Sequence, residues 1–507
     1  MLKRSMFSRI ISLLMIVVFI AGCSNNGVNG SGDETNTEGK DTLTVAFETD
    51  ADSLDPQYCI SGESLRIINN IYDPLVDCIS YGDIEPRLAE KWDVSSDGKT
   101  YTFYLKKGVN FQNGEPFTSK DVKYTIERAI ASPQTMSLTS TIKSVDIVDD
   151  YTVNVNTKES DPFLLQSLSL GNLAIVNEKA VIESGEDYGR NPVGTGSYTL
   201  SSWVSSDRIV LERYDGCWRG QAPIKTVTVR IIPDALSKTI ALQNGEVDVI
   251  ANVQPGDQEN IKNDPKLVYE ETESPSVYHI GINANQKPFD NKLVRQAVSY
   301  AIDKNAIIQG GNDGQGIEAK SMILEKIPGS ADMSYPYDPE KAKELLAQAG
   351  YPNGFDTEIT VVPRFEPISP VIQDQLSQVG INAKITKIDQ NAFFQNIANN
   401  KMYILSFAAV VPNPDSLYNI NFHSAGIGDT NKTNTNNKEL DIILEKARME
   451  MDDIKRTQMY EHMHELLKDE ATAIPLFYKV STMAYKKGIK GLEVDPLNIY
   501  YFYNVSW

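Results

Sequence analysis

Apolar positions change their period several times along the chain, and each change marks an expected element. Residues 10–20 are almost unbroken apolar, behind Lys3, Arg4 and Arg9 and ahead of Ala21, Gly22 and Cys23. Roughly 11 such residues fall short of the ~20 that a membrane-spanning helix needs, which predicts a cleaved export signal. Residues 24–41 are Asn, Gly, Ser, Thr, Lys and acidic residues with a single apolar Val28, so they cannot bury enough surface to order themselves and are expected to form a flexible leash. Leu43-Thr44-Val45-Ala46-Phe47 alternates as a strand does, and Pro56 ends the regular structure after it. Residues 58–63 connect to Leu65, Ile68, Ile71, Tyr72 and Leu75, whose spacing is helical up to Asp73-Pro74. Asp97-Gly98 between alternating stretches is a hairpin turn, Asn113-Gly114 is a second turn, and Thr118-Ser119 caps a helix from Lys120, giving a small β-rich unit. Ala297, Val298, Ala301 and Ile302 mark a helix with Arg295 and Asp303 as its end charges. Asp338-Pro339 opens another, carrying Ala342, Leu345 and Leu346 and ending at Gly350. Tyr500, Tyr501, Phe502, Tyr503 and Trp507 could stack on a sugar, but such a tail more often forms a core strand, which is expected here.

Composition narrows the function. The 507 residues hold 48 basic and 68 acidic side chains, for a net charge of −20, and no Lys/Arg-rich stripe; this excludes nucleic acid as a partner. The body after the leash, about 465 residues, is long enough for two or three domains. Cys59, Cys78 and Cys217 are odd in number and match no metal spacing, so they are expected as buried thiols; one disulfide stays open. His462 and His464 are two apart, about 200° around a helix, and cannot chelate together. His279 and His423 are isolated in sequence, and no hydrolase, zincin, phosphate-loop or dinucleotide motif occurs. Neither catalytic residues, a metal nor a cofactor is expected.

Ile20-Ala21-Gly22-Cys23 resembles the bacterial lipobox. That resemblance implies a signal peptide over residues 1–22, diacylglycerol on Cys23, and a lipidated tether over residues 23–41. The protein is then anchored on the outer face of the cell membrane, on its periplasmic or cell-surface side.

Four motifs stand in order: Pro86-Arg87-Leu88-Ala89-Glu90-Lys91-Trp92 with Asn113-Gly114-Glu115-Pro116-Phe117; Val193-Gly194-Thr195-Gly196-Ser197-Tyr198; Pro288-Phe289-Asp290 with Val294-Arg295-Gln296-Ala297; and Asp338-Pro339-Glu340-Lys341-Ala342 with Ala349-Gly350-Tyr351. In register over residues 43–507, they are similar to the family 5 extracellular solute-binding proteins, the peptide and nickel group of ABC-transporter receptors. The resemblance implies an α/β, two-lobed periplasmic-binding-protein-like fold of class II that closes by a hinge, with an additional β-rich domain. Its first lobe takes residues 42–73, 190–272 and 479–507, the β-rich domain residues 74–189, and the second lobe residues 273–478. The partners implied are a peptide or other small solute, and the permease and ATPase subunits of an importer.

In the peptide binders of this family, extended ligand pairs its backbone with a short strand of each lobe. The equivalents here are Ile60-Ser61-Gly62, and residues 406–411, beginning Ser406-Phe407-Ala408, ahead of Asn413-Pro414-Asp415. Many of them carry an aspartate for the ligand's ammonium where this chain has Val410. Either Glu63 or Asp415 supplies that charge, or the ligand lacks the amine there, since a buried unpaired ammonium costs several kcal/mol. By the same resemblance Arg364 takes a ligand carboxylate; the alternative is a surface or interlobe pairing with Glu366. Three readings follow: a peptide receptor, the same receptor for a glycoside, opine-like conjugate or metal chelate, and a surface enzyme or signalling receptor on a borrowed fold.

Overall fold

The computed structural model describes residues 40–79, 82–408, 413–492 and 500–507. The export signal, most of the leash including Cys23, and Val410 lie outside them.

One 11-stranded sheet runs through the molecule. At its centre the first strand, Thr42–Phe47, pairs in parallel with Thr226–Ile231 and Val249–Ala251, and its Leu43, Val45 and Phe47 point into one core, as the alternation predicts. Two long strands, Leu267–Ile282 of 16 residues and Ala473–Lys486 of 14, carry the sheet onward. Their outer halves pair from Leu267 with Lys486 to Glu273 with Val480, beside the first core. Their inner halves pair from Val277 with Tyr478 to Gly281 with Ala473, beside Met402–Ala408 and a second core built on Ile280, Phe289, Val298 and Ile359. Between the halves the register shifts across Ser274, Pro275 and Ser276. Proline has no N–H for the ladder, so an interruption belongs there. The molecule is thus two-lobed, with two crossing strands between the lobes.

The β-rich unit is a four-stranded antiparallel sheet, Ala89–Val94, Thr100–Leu105, Thr152–Thr157 and Ile142–Asp149 in that order. Tyr101, Phe103 and Leu105 alternate inward with Val153 and Val155 and meet Val122, Ile126 and Ala129 of the helix Ser119–Ala131. Gly98 takes φ +68° at the hairpin, and the Thr118 N–H donates to the Asp121 carboxylate at 3.0 Å at the helix start.

A buried carboxylate joins this unit to the first lobe. Asp73 follows the helix Gly62–Ile71 and is fully buried. It accepts Arg87 Nε at 2.9 Å, Thr195 Oγ1 at 2.8 Å and Trp218 Nε1 at 3.0 Å, with Arg219 at 3.2 Å. Gly194 and Gly196 flank Thr195 because a Cβ there would lie 2.1 Å from the Ile71 carbonyl oxygen and 2.6 Å from that of Asn70.

Two expectations are corrected. Arg295 is not a helix-end charge: it lies within the helix Lys292–Tyr300, buried, donating to Glu470 Oε2 at 2.8 Å and to the Phe289 carbonyl at 2.9 Å, while Asp303 caps the next helix, Lys304–Gly311. The aromatic tail is not a strand either. Phe502–Asn504 is a single 3-10 turn, held where Asn70 donates to the Tyr500 carbonyl at 2.6 Å and accepts the Phe502 N–H at 2.8 Å.

Candidate ligand-binding site

The cleft is built outward from Lys479, the only charged residue among residues 473–480 of its crossing strand. It stands where the pairing shifts, between Tyr478, opposite Val277, and Val480, opposite Glu273. Its side chain is exposed, yet desolvation by the surrounding protein lowers its pKa; Glu48 opposes the shift, and the like charges of Arg66 and Arg364 add to it. Lys479 is thus open to solvent while Glu48, Arg66 and Arg364 all act on its charge.

On the first-lobe side, Arg66 lies over the rings of Phe47 and Tyr500, at 5.3 and 5.4 Å, and pairs with Glu63 at 3.5 Å. Glu48, next to the first strand, takes Lys238 at 2.6 Å. On the second-lobe side, Arg364 Nη2 is 3.4 Å from Ser406 Oγ, and its guanidinium sits 4.5 Å over the Phe365 ring. Tyr278 fills the space between Phe365, edge-on at 5.1 Å, and Phe477, stacked at 4.6 Å. Phe407 stacks on His279 at 4.2 Å, and burial drives that imidazole down to about 3, so it is neutral at physiological pH.

The predicted site residues fall into three places. Arg364, Ser406 and Phe407 come together, with Ala408 opposite Ser276 in the ladder. Glu366 pairs with Lys387 and not with Arg364, which makes no ion pair among the described residues. Ile60, Ser61, Gly62 and Glu63 lie on the other lobe, and the short strand expected there is absent. The Ile60 and Ser61 N–H groups donate to Asp52 at 2.8 and 3.0 Å, Ser61 Oγ caps the helix by accepting the Ser64 N–H at 3.1 Å, and Gly62 is already helical. Burial opposes ionisation of Asp52, but the Ser61 and Ser64 hydroxyls and these N–H groups outweigh it and hold the carboxyl at about 2. Two donors that an extended ligand would need are therefore engaged internally. Asp415 is elsewhere, at the start of the helix Asp415–Phe422, bonded to Asn419 at 3.1 Å with Arg448 at 4.0 Å; burial pushes its carboxyl up against the pull of Arg448 and Asn419, and Asp161 of the β-rich unit adds to the rise.

Lys479, Arg66, Tyr278 and His279 were not legible as site residues. The one signal was a solitary lysine in an apolar strand. His462 is exposed beside Glu439 and Glu465, while His464 is buried on Ser321 and Tyr418 at 2.8 and 2.6 Å. Among the described residues no cluster of three or more His, Cys, Asp or Glu side chains could hold a metal, Cys59 and Cys217 are free thiols, and no helix is long and apolar enough to cross a membrane.

Residues 83–429 match the family model of the bacterial extracellular solute-binding proteins, family 5, in its middle region. The chain belongs to that family. The dipeptide-binding protein of Escherichia coli K12 is 30% identical over 92% of this chain and 94% of its own length. Heme-binding protein A of Haemophilus influenzae is 28% identical over 98% of each. Among solved structures, HbpA2 of Haemophilus parasuis superposes with a TM-score of 0.86 at 27% identity, covering 92% of this chain and 99% of that one. The periplasmic binding protein DppA of Helicobacter pylori, in complex with peptide STSA, gives 0.75 at 28% identity, covering 92% and 98%. As a family 5 protein the chain is the extracytoplasmic substrate-binding component of an ABC importer, a receptor and not an enzyme.

Proposed function

We propose that this family 5 receptor captures peptides outside the membrane and delivers them to its permease, holding the ligand carboxylate on Arg364 and Lys479. The observation that carries the reading is the convergence of Arg66, Lys479 and Arg364 where the crossing strands pass between the lobes. Of the three, neither Arg364 nor Lys479 has an ion-pair partner among the described residues. A planar guanidinium offers two parallel donors to a carboxylate and an ammonium adds a point charge, so together they suit a carboxylate-terminated solute. Capture proceeds as residues 42–73, 190–272 and 479–507, with the β-rich domain, rotate against residues 273–478; closure excludes water and strengthens each polar contact inside. The relatives named for dipeptide, glutathione and peptide STSA support the peptide assignment. Extraction of solute from the purified protein, with identification by mass, tests it: peptides are expected, and a single non-peptide compound would replace them with the second reading.

That second reading is a carboxylate-bearing non-peptide solute. It is favoured by Val410, which stands where many peptide binders of the family carry aspartate, and by relatives named for heme and crystallised with agropinic or mannopinic acid. Val410→Asp separates the two. If the native ligand presents an uncharged group there, calorimetry should show it binding about tenfold or more weakly to the variant, while peptides with free amino ends bind more tightly. Unchanged affinities for both would remove Val410 from the site.

The receptor is held at the membrane by lipid on Cys23. Cys23→Ser is expected to give a folded protein that no longer sediments with membranes at high salt, with processing of the signal peptide confirmed by N-terminal mass. Continued membrane association of the processed variant would refute the anchor.

A further inference from the structure

The β-rich unit and the second lobe line an open cavity of about 510 Å³. Phe163 and Gln166 wall it on one side, and Lys326, Arg456 and Tyr460 on the other. The cations are engaged. Arg456 bonds Asp453 and the Glu450 carbonyl, the latter at 2.7 Å, and Lys326 pairs with Glu273 at 3.3 Å. The acids on the wall, Asp83 and Asp453, are engaged too, Asp453 with Arg456. Tyr460 is 1% exposed and its hydroxyl has no hydrogen-bond partner among the described residues, and the buried Gln166 Oε1 has none either. Buried polar atoms are nearly always paired, so these two, from opposite sides of one cavity, point to an occupant. The Tyr460 and Phe163 rings, 6.4 Å apart, give that occupant an apolar bed. Asn413, also on the wall, belongs to the stretch of chain that follows the strand bearing Ser406 beside Arg364.

We propose that this cavity is a second ligand subsite that takes an uncharged apolar or aromatic group carrying a neutral N–H or O–H. Resting on the function proposed above, it receives the end of the solute remote from the carboxylate on Arg364 and Lys479. The receptor therefore prefers solutes longer than a dipeptide with a neutral distal end. A charged end finds no uncommitted counter-charge among Asp83, Lys326, Asp453 and Arg456, each of which has a partner. Because both the β-rich unit and the second lobe build the cavity, its occupant also favours the closed arrangement.

Calorimetry of the full chain with N-acetyl-Ala-Ala and with N-acetyl-Tyr-Ala-Ala-Ala tests this, against native protein and the Gln166→Leu/Tyr460→Phe variant. The longer peptide should bind the native protein at least tenfold more tightly, and the variant should lose that advantage while holding the short peptide as before. Equal affinity of the two peptides for the native protein, or equal loss of both in the variant, overturns the subsite and leaves the peptide reading standing. If neither peptide binds, the peptide reading fails and phenol decides the subsite as a free molecule: saturation transfer from native protein that disappears in the variant supports it, and no transfer overturns it. Should the double variant fail to fold, Gln166→Leu alone, at a half-buried position, carries each comparison with a loss of several fold expected.

Discussion

Asp73→Leu should destabilise the protein by about 3–5 kcal/mol, because it strips the carboxylate from a buried charge cluster and leaves Arg87 and Arg219 without it. Arg87 would keep Asp77 at 2.7 Å, but Arg219 would keep no carboxylate, just the Ser197 hydroxyl at 3.0 Å and the Tyr503 ring at 4.6 Å among the described residues, and Thr195 and Trp218 would lose their acceptor. Urea unfolding followed by circular dichroism measures the loss, and a change under ~1 kcal/mol would mean the cluster does not hold the β-rich unit to the first lobe. Acid should act on the same group. Burial opposes ionisation of Asp73, but Arg87, Arg219, Trp218 and Thr195 outweigh it and hold the carboxyl at about 2, below its ordinary value. A carboxyl depressed on folding stabilises the protein above its unfolded pKa and ceases to as pH falls through the folded one. The contribution, about 2 kcal/mol, should therefore be full above pH ~4 and vanish towards pH ~2. Asp73→Asn should lack that acid-dependent part.

This cluster shows which parts of the sequence were legible. The motifs that resemble the family supply its members, Arg87 from one and Thr195 with its flanking glycines from another, so motif order predicted the fold. The site was less legible because its residues depend on what lies across from them. Ser61 has extended backbone angles, φ −86° and ψ 147°, as a strand residue does, and only its bond to the Ser64 N–H shows it to be a helix cap. Three residues are too few for a period to tell the two apart. Arg295 sits at a helical position that faces solvent or Glu470 according to how the second lobe packs. The aromatic tail alternates well enough for a strand, but the Asn70 side-chain amide, far away in sequence, takes the bonds a neighbouring strand would have made.

Lys479→Met should abolish most ligand binding without weakening the fold, and this combination distinguishes a binding cation from a structural one. If the solute carboxylate rests on Lys479 and Arg364, truncating either partner of that closed-cleft pair should cost about 2–5 kcal/mol of affinity, a loss of roughly 30-fold or more in calorimetry with solute recovered from the native protein. Arg364→Ala should match it. Arg364→Lys should recover only part, since an ammonium lacks the planar fork. The unfolding midpoint of Lys479→Met should stay level or rise. The ammonium is desolvated and repelled by Arg66 and Arg364, so the folded protein holds its proton less firmly than the unfolded chain does, and the charged form opposes folding until pH passes the unfolded lysine range near ~10.4. A ligand carboxylate reverses that balance by favouring the charged form. Binding to the native protein at alkaline pH should therefore take up protons, seen as a dependence of the calorimetric heat on the buffer's ionisation enthalpy, and Lys479→Met should not. Native affinity in Lys479→Met, or proton uptake that survives the substitution, would take Lys479 out of the site and return the carboxylate to Arg364 alone.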